Sequence, residues 1–341
     1  MDFLSYTIQI KSTLKNSFRH ITIFLYLLLL FSSCSRKKDR FLNRNWHALN
    51  TRYNILFNGE MAIVEGLDEV QESYKDNYWD LLPVERLSFS ESFEFEEKEK
   101  NPNFERAEEK AVKAVQTHGM KIKGKEKNAQ IDEAYLLLGK ARYFSGRFIP
   151  ALEAFNYILF KYPGSSNINS AKIWRAKANL RLENESIAKD NLNALLLKKD
   201  LSDDNKVKAY ATLAQLYINR EEFDLAVLNL ENAANITKDK AFKGRLHFIM
   251  GQLHNAQGQK QSATQAFQRV IELKRNVPRA YRVNAFLEQI KNFDYKTGDQ
   301  VYLSEFLESL VLDRENRPYL DRIYYVIANH HLVLEQDSIA I

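Results

Sequence analysis

Cys34 is the one cysteine in the 341-residue chain. A lone thiol closes no internal disulfide and offers no cysteine pair to zinc or to a redox motif, so its position carries the information. It follows Ser32 and Ser33, directly after the apolar run Ile21–Phe31, ITIFLYLLLLF. The other candidates for chemistry are scattered. His247 and His254 lie seven apart and share a helix face, whereas the adjacent His330 and His331 point different ways. No HExxH and no His/Cys/Asp cluster with ligand spacing occurs, and the histidines read as packing residues. Gly124-Lys125 lacks the second glycine and the Ser/Thr of a phosphate loop, and no G-x-S-x-G is present. Glu96-Glu97 and Glu108-Glu109 sit in strongly charged stretches, as solvated acids do. No metal, cofactor, small-molecule substrate or catalytic centre is expected. The chain reads as a binding protein, not an enzyme.

Composition points the same way. Forty-five per cent apolar and 27 per cent charged residues describe a folded body, and only 11 Gly and 6 Pro favour long helices with short turns. The 49 basic and 44 acidic residues leave a net charge of +5, too even a mixture for a nucleic-acid footprint.

The segment before Cys34 reads as an address. Lys11, Lys15 and Arg19 precede the eleven-residue apolar run, which as helix covers about 16 Å, half of a bilayer core. That is the proportion of a signal-peptide core, and residues 1–33 are read as one. The junction L-F-S-S-C resembles the lipobox of bacterial lipoproteins, with Phe31 where Leu, Val or Ile is usual. The resemblance implies cleavage before Cys34, acylation of Cys34, and a lipidated tether over 34–44. Ser35 after the cysteine implies sorting to the outer membrane. The basic Arg36-Lys37-Lys38 lacks the acidic character of surface-export signals, which leaves the body on the periplasmic face.

Self-similarity begins near residue 132. Tyr135, Leu138, Gly139, Gly146, Phe148, Ala151, Phe155 and Pro163 stand at the spacing of a tetratricopeptide repeat. Small residues at 139 and 151 suit a close approach of two antiparallel helices, Gly146 suits the turn, and Pro163 ends the second helix. The pattern recurs with Tyr210, Leu213, Ala214, Tyr217, Phe223, Ala226, Leu230 and Ala233, lacking the turn glycine. It recurs again with Met250, Gly251, Gly258, Ala263, Phe267 and Val270, and more weakly with Ala176, Ala188, Leu192 and Leu195. The small residue of the first helix thus falls at 139, 176, 214 and 251, in steps of 37, 38 and 37. An all-α fold of helix hairpins stacked into a right-handed superhelical solenoid is predicted, with four repeats over 130–275. Helices over 277–291 and 299–312 form a degenerate unit. Tyr324, Ile327, Ala328 and Ala340 restore the spacing 77 residues after Gly251, so the array is expected to run on past Ile341. Upstream, 45–120 reads as a helical block, with a helix pair over 45–75 broken near Asn58-Gly59, an irregular acidic loop near 76–101 and an amphipathic helix over 103–118. Lys121–Lys127 reads as a polar turn.

In tetratricopeptide proteins the first helix of each hairpin lines a groove that receives a peptide or helix. The repeat resemblance carries that role to Lys140 and Tyr143, Lys177 and Arg181, Gln215 and Asn219, and Gln252 and Asn255. The resulting basic-to-polar strip suits an acidic or hydrogen-bonding extended protein segment.

The stretch Arg44–Gly59, RNWHALNTRYNILFNG, stands after a lipobox and before Asn77-Tyr78 and Leu81-Leu82-Pro83. It resembles the start of the tetratricopeptide lipoproteins of the Bacteroidetes type IX secretion and gliding-motility machinery, the SprE and PorW type. That resemblance implies an outer-membrane-anchored scaffold whose partners are proteins of a cell-envelope secretion machine, with the membrane held through acyl chains on Cys34. Two alternatives stand beside it. One is a lipoprotein of the outer-membrane protein assembly complex, whose repeats contain runs like Phe155–Pro163. The other is the repeat domain of a longer enzyme with its catalytic part beyond Ile341.

Overall fold

A computed structural model describes residues 35–87 and 101–336, with Thr22 and Ser338 besides. Cys34, the expected signal sequence apart from Thr22, the acidic stretch Glu91–Glu99 and Ala340 lie outside the described residues. The fold is all-α, built as tetratricopeptide-like helix hairpins. Among the described residues the only sheet is a two-stranded hairpin, β1 (Lys121–Ile122) against β2 (Lys125–Glu126), where a polar turn was expected. The chain divides into two compact units: residues 1–67 with 96–167, and 68–95 with 168–341.

The first unit opens with one continuous helical rod. Helix α1 (Phe41–Leu49) passes through a π-helical stretch, Asn50–Leu56, into α2 (Phe57–Ser73), with right-handed helical backbone at both junctions. The break expected near Asn58-Gly59 is absent. Gly59 instead allows a close approach, since a Cβ there would stand 2.5 Å from the Leu137 side chain and 3.2 Å from Lys110 Cβ. Gly66 does the same against the Phe104 ring. Asn43, His47, Thr51, Ile55, Gly59 and Ile63 are all buried, a strict four-residue repeat. At about 3.6 residues per turn, such a repeat would rotate about 40° each time and leave its partner. The wider π turns take up that rotation and keep the row facing inward.

Helix α3 (Pro102–His118) starts at Asn101, whose side chain accepts from the Asn103 and Phe104 amides, with Pro102 in the first turn. Ala107, Ala111 and Ala114 are its buried face. The hairpin α4 (Ile131–Phe144) and α5 (Phe148–Lys161) completes this unit.

The second unit stacks α6 (Ile168–Arg181) with α7 (Glu185–Leu196), α8 (Asp203–Asn219) with α9 (Phe223–Ile236), and α10 (Lys240–Ala256) with α11 (Lys260–Glu272). Then follow α12 (Arg279–Lys291), α13 (Gln300–Leu312) and α14 (Leu320–Val333), around a core of their own that includes Val283, Leu287, Leu307 and Ile323.

The turns of the four hairpins α4–α5, α6–α7, α8–α9 and α10–α11 are closed the same way. An amide bonds back to the carbonyl five residues earlier at 147→142, 184→179, 222→217 and 259→254, and again at 336→331. This is the Schellman closure, which needs one residue with positive φ. Gly146 (φ 74°) and Gly258 (φ 72°) supply it without strain, but Glu183 (60°), Glu221 (57°) and Glu335 (57°) do so as L residues, at a cost of about 1–2 kcal/mol each. Packing between the hairpin arms repeats equally well. A Cβ on Gly139 would stand 2.3 Å from the Phe155 ring, and one on Gly251 would stand 2.5 Å from Phe267. Gly139→Leu and Gly251→Leu should each overpack this contact and lower stability in urea by about 1–3 kcal/mol. A variant as stable as the native chain would show that the ring does not depend on the glycine.

Candidate functional site

Residues 76–86, DNYWDLLPVER, leave helical structure and belong to the second unit together with the repeats that follow Ile168. Pro83 holds Leu82 away from the helical region, so an extended chain is the local preference. In an extended chain alternate side chains face one way. Leu82 (1 % exposed) and Val84 (2 %) accordingly point into the core of the stack, while Leu81 stays outside. Before them, the side chain of Asn77 accepts from the Trp79 amide, a local turn that sets Tyr78 inward. Its ring packs edge-on against Phe248 at 5.3 Å and Tyr281 at 5.8 Å.

The first helices of successive hairpins read this strap with equivalent residues. Gln252 on α10 accepts from the Leu82 amide at 3.0 Å and donates to the Asp80 carbonyl at 2.8 Å. One repeat earlier, Gln215 on α8 accepts from the Val84 amide at 2.7 Å and donates to Asn219 at 2.8 Å. One repeat earlier again, Lys177 on α6 pairs with the Glu85 carboxylate, and Arg181 reaches its other oxygen at 3.4 Å. Lys177 also lies 4.7 Å over the Trp174 ring. Asn255 donates to Glu288 on α12 and accepts from Asn292 just past its end. The strap therefore runs opposite to the order of the repeats, advancing one or two residues per hairpin.

Arg245 anchors the other end. Its guanidinium makes bonds of 2.8 and 2.9 Å to the two oxygens of Asp76, donates to the Pro83 and Val84 carbonyls, and meets the Tyr281 hydroxyl. Both charged side chains are 4 % exposed. Burial alone would lower the arginine pKa, but the Tyr281 and Asp76 oxygens outweigh it and raise the value. Tyr281 is pushed up to about 12, mainly by burial, with Arg245 opposing and Asp76 adding. Burial also holds the Tyr78 hydroxyl well above the ordinary phenol range. Arg245, Tyr281 and Tyr78 thus each keep one ionisation state through neutral pH.

Residues 244–277, which carry Arg245, Gly251, Gln252, Gly258 and Phe267, match the tetratricopeptide repeat model. That stretch is a tetratricopeptide repeat. Comparison with curated proteins finds no match. Among solved structures, the chain is similar to the apo form of the quorum sensor NprR from B. thuringiensis, at 14 % identity and a TM-score of 0.48, over 95 % of this chain and 91 % of that one.

Six of the eight residues assigned to the groove, Lys177, Arg181, Gln215, Asn219, Gln252 and Asn255, lie in the second unit, and four of them touch the strap. Lys140 and Tyr143 lie in the first unit. Tyr143 is not groove-facing: at 1 % exposure it is buried against Phe144 and Phe148, because its face of α4 packs inside the hairpin. Arg245 and Tyr281 were not singled out from the sequence. Arg245 was findable, standing one heptad before Gln252 on the same helix.

The described histidines sit as packing and capping groups. His254 and His331, 77 residues apart, each bond a glutamine five residues on at the end of their helices. Among the described residues no group of three or more His, Cys, Asp or Glu is placed to hold a metal. His330 lies 3.1 Å from both the Tyr295 and Ser304 hydroxyls, and the Ser304 hydroxyl also lies 3.0 Å from the Gln300 carbonyl.

Asp76→Ala should cost about 3–5 kcal/mol, because it leaves a buried guanidinium without its counter-ion. It should also open the chain to trypsin after Arg86. Unchanged urea midpoints and unchanged cleavage would mean that the strap is held without this pair.

A second prediction concerns pH. Burial, with Arg269 and Lys243 nearby, holds His247 at about 4, against an ordinary 6.5. The unfolded chain then takes up a proton where the folded chain does not, so stability falls as pH drops from about 6.5 to about 4. His118 is lowered by burial and His47, and His330 by burial and His331, both in the same sense. The slope of the urea midpoint across this window should be smaller in His247→Gln than in the native chain. Equal slopes would clear His247 of the effect.

Proposed function

We propose that this chain is a non-catalytic scaffold whose tetratricopeptide groove holds extended segments of partner proteins, tethered by acyl chains on Cys34 to the periplasmic face of the outer membrane. The observation that carries this reading is the seated strap. Glutamines at equivalent places on α8 and α10 meet main-chain amides, and Lys177 with Arg181 meets a carboxylate. Main-chain contacts give affinity without demanding a particular sequence, while apolar pockets and the paired charge supply the selection. A partner segment of the same chemistry, apolar at alternate positions and acidic at its end, exchanges with the strap. Asn219 and Asn255 lie beside that track.

The resemblance of Arg44–Gly59 supports a place in the type IX secretion and gliding machinery. A tether adds to such a scaffold, because confinement to one membrane face raises effective concentration and lets moderate affinity suffice. The run Phe155–Pro163 keeps the outer-membrane assembly complex as the second reading.

Charge exchange separates the partner from the strap. Lys177→Glu and Arg181→Glu combined with Glu85→Lys preserve the pairing in cis but invert what a partner meets. Crosslinked envelope proteins recovered with this triple variant should lack partners found with the native chain, while its helicity stays native. Identical partner sets would show the groove idle. Loss of the gene should stop type IX export. Export left intact, with outer-membrane proteins depleted instead, would favour the assembly complex. Cys34→Ala should leave the outer-membrane fraction, and a variant that stays there refutes the anchor.

A further inference from the structure

The rod formed by α1, the π stretch and α2 has a second row opposite its buried one. Leu42, Trp46, Leu49, Tyr53, Phe57, Met61 and Val64 follow one another at steps of four or three residues, and all are between 42 % and 67 % exposed. The π turns that keep Asn43, His47, Thr51 and Ile55 inward keep this row aligned as well. It is an apolar stripe about 30 Å long at about 1.5 Å per residue. Isolated exposed apolar residues need no explanation, but a continuous row of large ones does.

Two features say what covers it. The first is charge. Arg36, Lys37, Lys38, Arg40, Arg44 and Arg52 accompany the stripe, against one acid, Asp39, before Glu60. Asp39 is itself engaged by Lys127 at 3.0 Å and Arg44 at 3.4 Å. A seam for a partner helix would carry both signs along its flanks. A flank that is basic but for one neutralised acid over residues 36–59, beside an aromatic-rich apolar face, is the make-up of a helix lying on an anionic lipid surface. The asparagines between the rows donate along the helix, Asn45 to the Phe41 carbonyl and Asn50 to the Trp46 carbonyl, so their amide nitrogens enter a headgroup layer already engaged. The second feature is distance. Cys34, where the acyl chains are expected, stands seven residues before Phe41, which fully extended is at most about 25 Å.

We infer that the stripe Leu42–Val64 lies in the interfacial layer of an anionic phospholipid membrane, with Trp46, Tyr53 and Phe57 at headgroup depth. The lipid anchor then sets not only the distance of the body from the membrane but its rotation. This rests on anchoring upstream of residue 35 and is independent of what the groove binds.

The test uses the full chain with Trp79→Phe and Trp174→Phe, which leaves Trp46 as its tryptophan, reconstituted in vesicles of phosphatidylcholine and phosphatidylglycerol. Flotation is read first, and circular dichroism confirms native helicity. In vesicles with brominated acyl chains Trp46 emission should fall about twofold or more, while aqueous iodide quenches it little. Adding Arg40→Glu, Arg44→Glu and Arg52→Glu should remove at least half of the bromolipid quenching without loss of flotation. A floating chain whose Trp46 answers to iodide and not to bromolipid overturns the inference and leaves the anchor standing. Protection from both quenchers overturns it in favour of a protein cover, such as a second copy. A chain that does not float overturns the anchor and the inference together.

Discussion

A buried guanidinium has five N–H donors in a rigid fork and tolerates none of them empty in a dry interior. Arg245 sits in such a place, and the repeats around it do not satisfy it alone. Its acceptors come from Asp76, from the Pro83 and Val84 carbonyls, and from Tyr281. Strap and stack therefore form one core. Leu82 and Val84 are as dry as the alanines at the helix crossings, and the glutamines of α8 and α10 find in the strap amides the partners that a solvated groove would leave to water. A buried pair of this kind adds little net stability beyond an apolar substitute, but it is costly to break from one side. It selects one seat for the strap more than it strengthens the fold.

The helices were legible because their reasons are local. Small residues at steps of 37 and 38 mark where hairpin arms touch, and Gly251 and Gly139 meet the same ring in their repeats. The turns were half legible. Gly146 and Gly258 announce positive φ, but Glu183, Glu221 and Glu335 adopt it because the Schellman bonds on either side hold them there. Strain enforced by neighbours leaves no mark in composition. The rod over 41–73 was misread for a related reason: Gly59 looks like a break, and only the positions of Leu137 and Lys110 show it to be a contact.

Much of the site was also readable. Lys177, Gln215 and Gln252 stand at places that the tetratricopeptide resemblance gives to a groove, and the structure puts all three against one extended segment. That the segment belongs to the same chain was not readable. DNYWDLLPVER has no periodicity of its own, and its order comes from residues 92 to 205 positions away. Tyr143 shows the opposite limit, since the register that places a residue on a helix does not say which neighbour will cover it.

The strap also fixes an order of events. Asp76 and Arg245 are 169 residues apart in sequence, so synthesis delivers the strap long before its seat exists. Loop closure over that length costs only slowly more than over a short one. The delay is the heavier burden, because Tyr78, Trp79, Leu82 and Val84 wait in water while three hairpins are made. A fragment begun at Ile168 inherits the reverse defect, with helices intact and Arg245 facing an empty furrow. The boundary of the second unit is therefore not a cut in the sequence. It can be reproduced only by joining 68–95 to 168–341, whether in cis or by supplying the strap as a separate peptide.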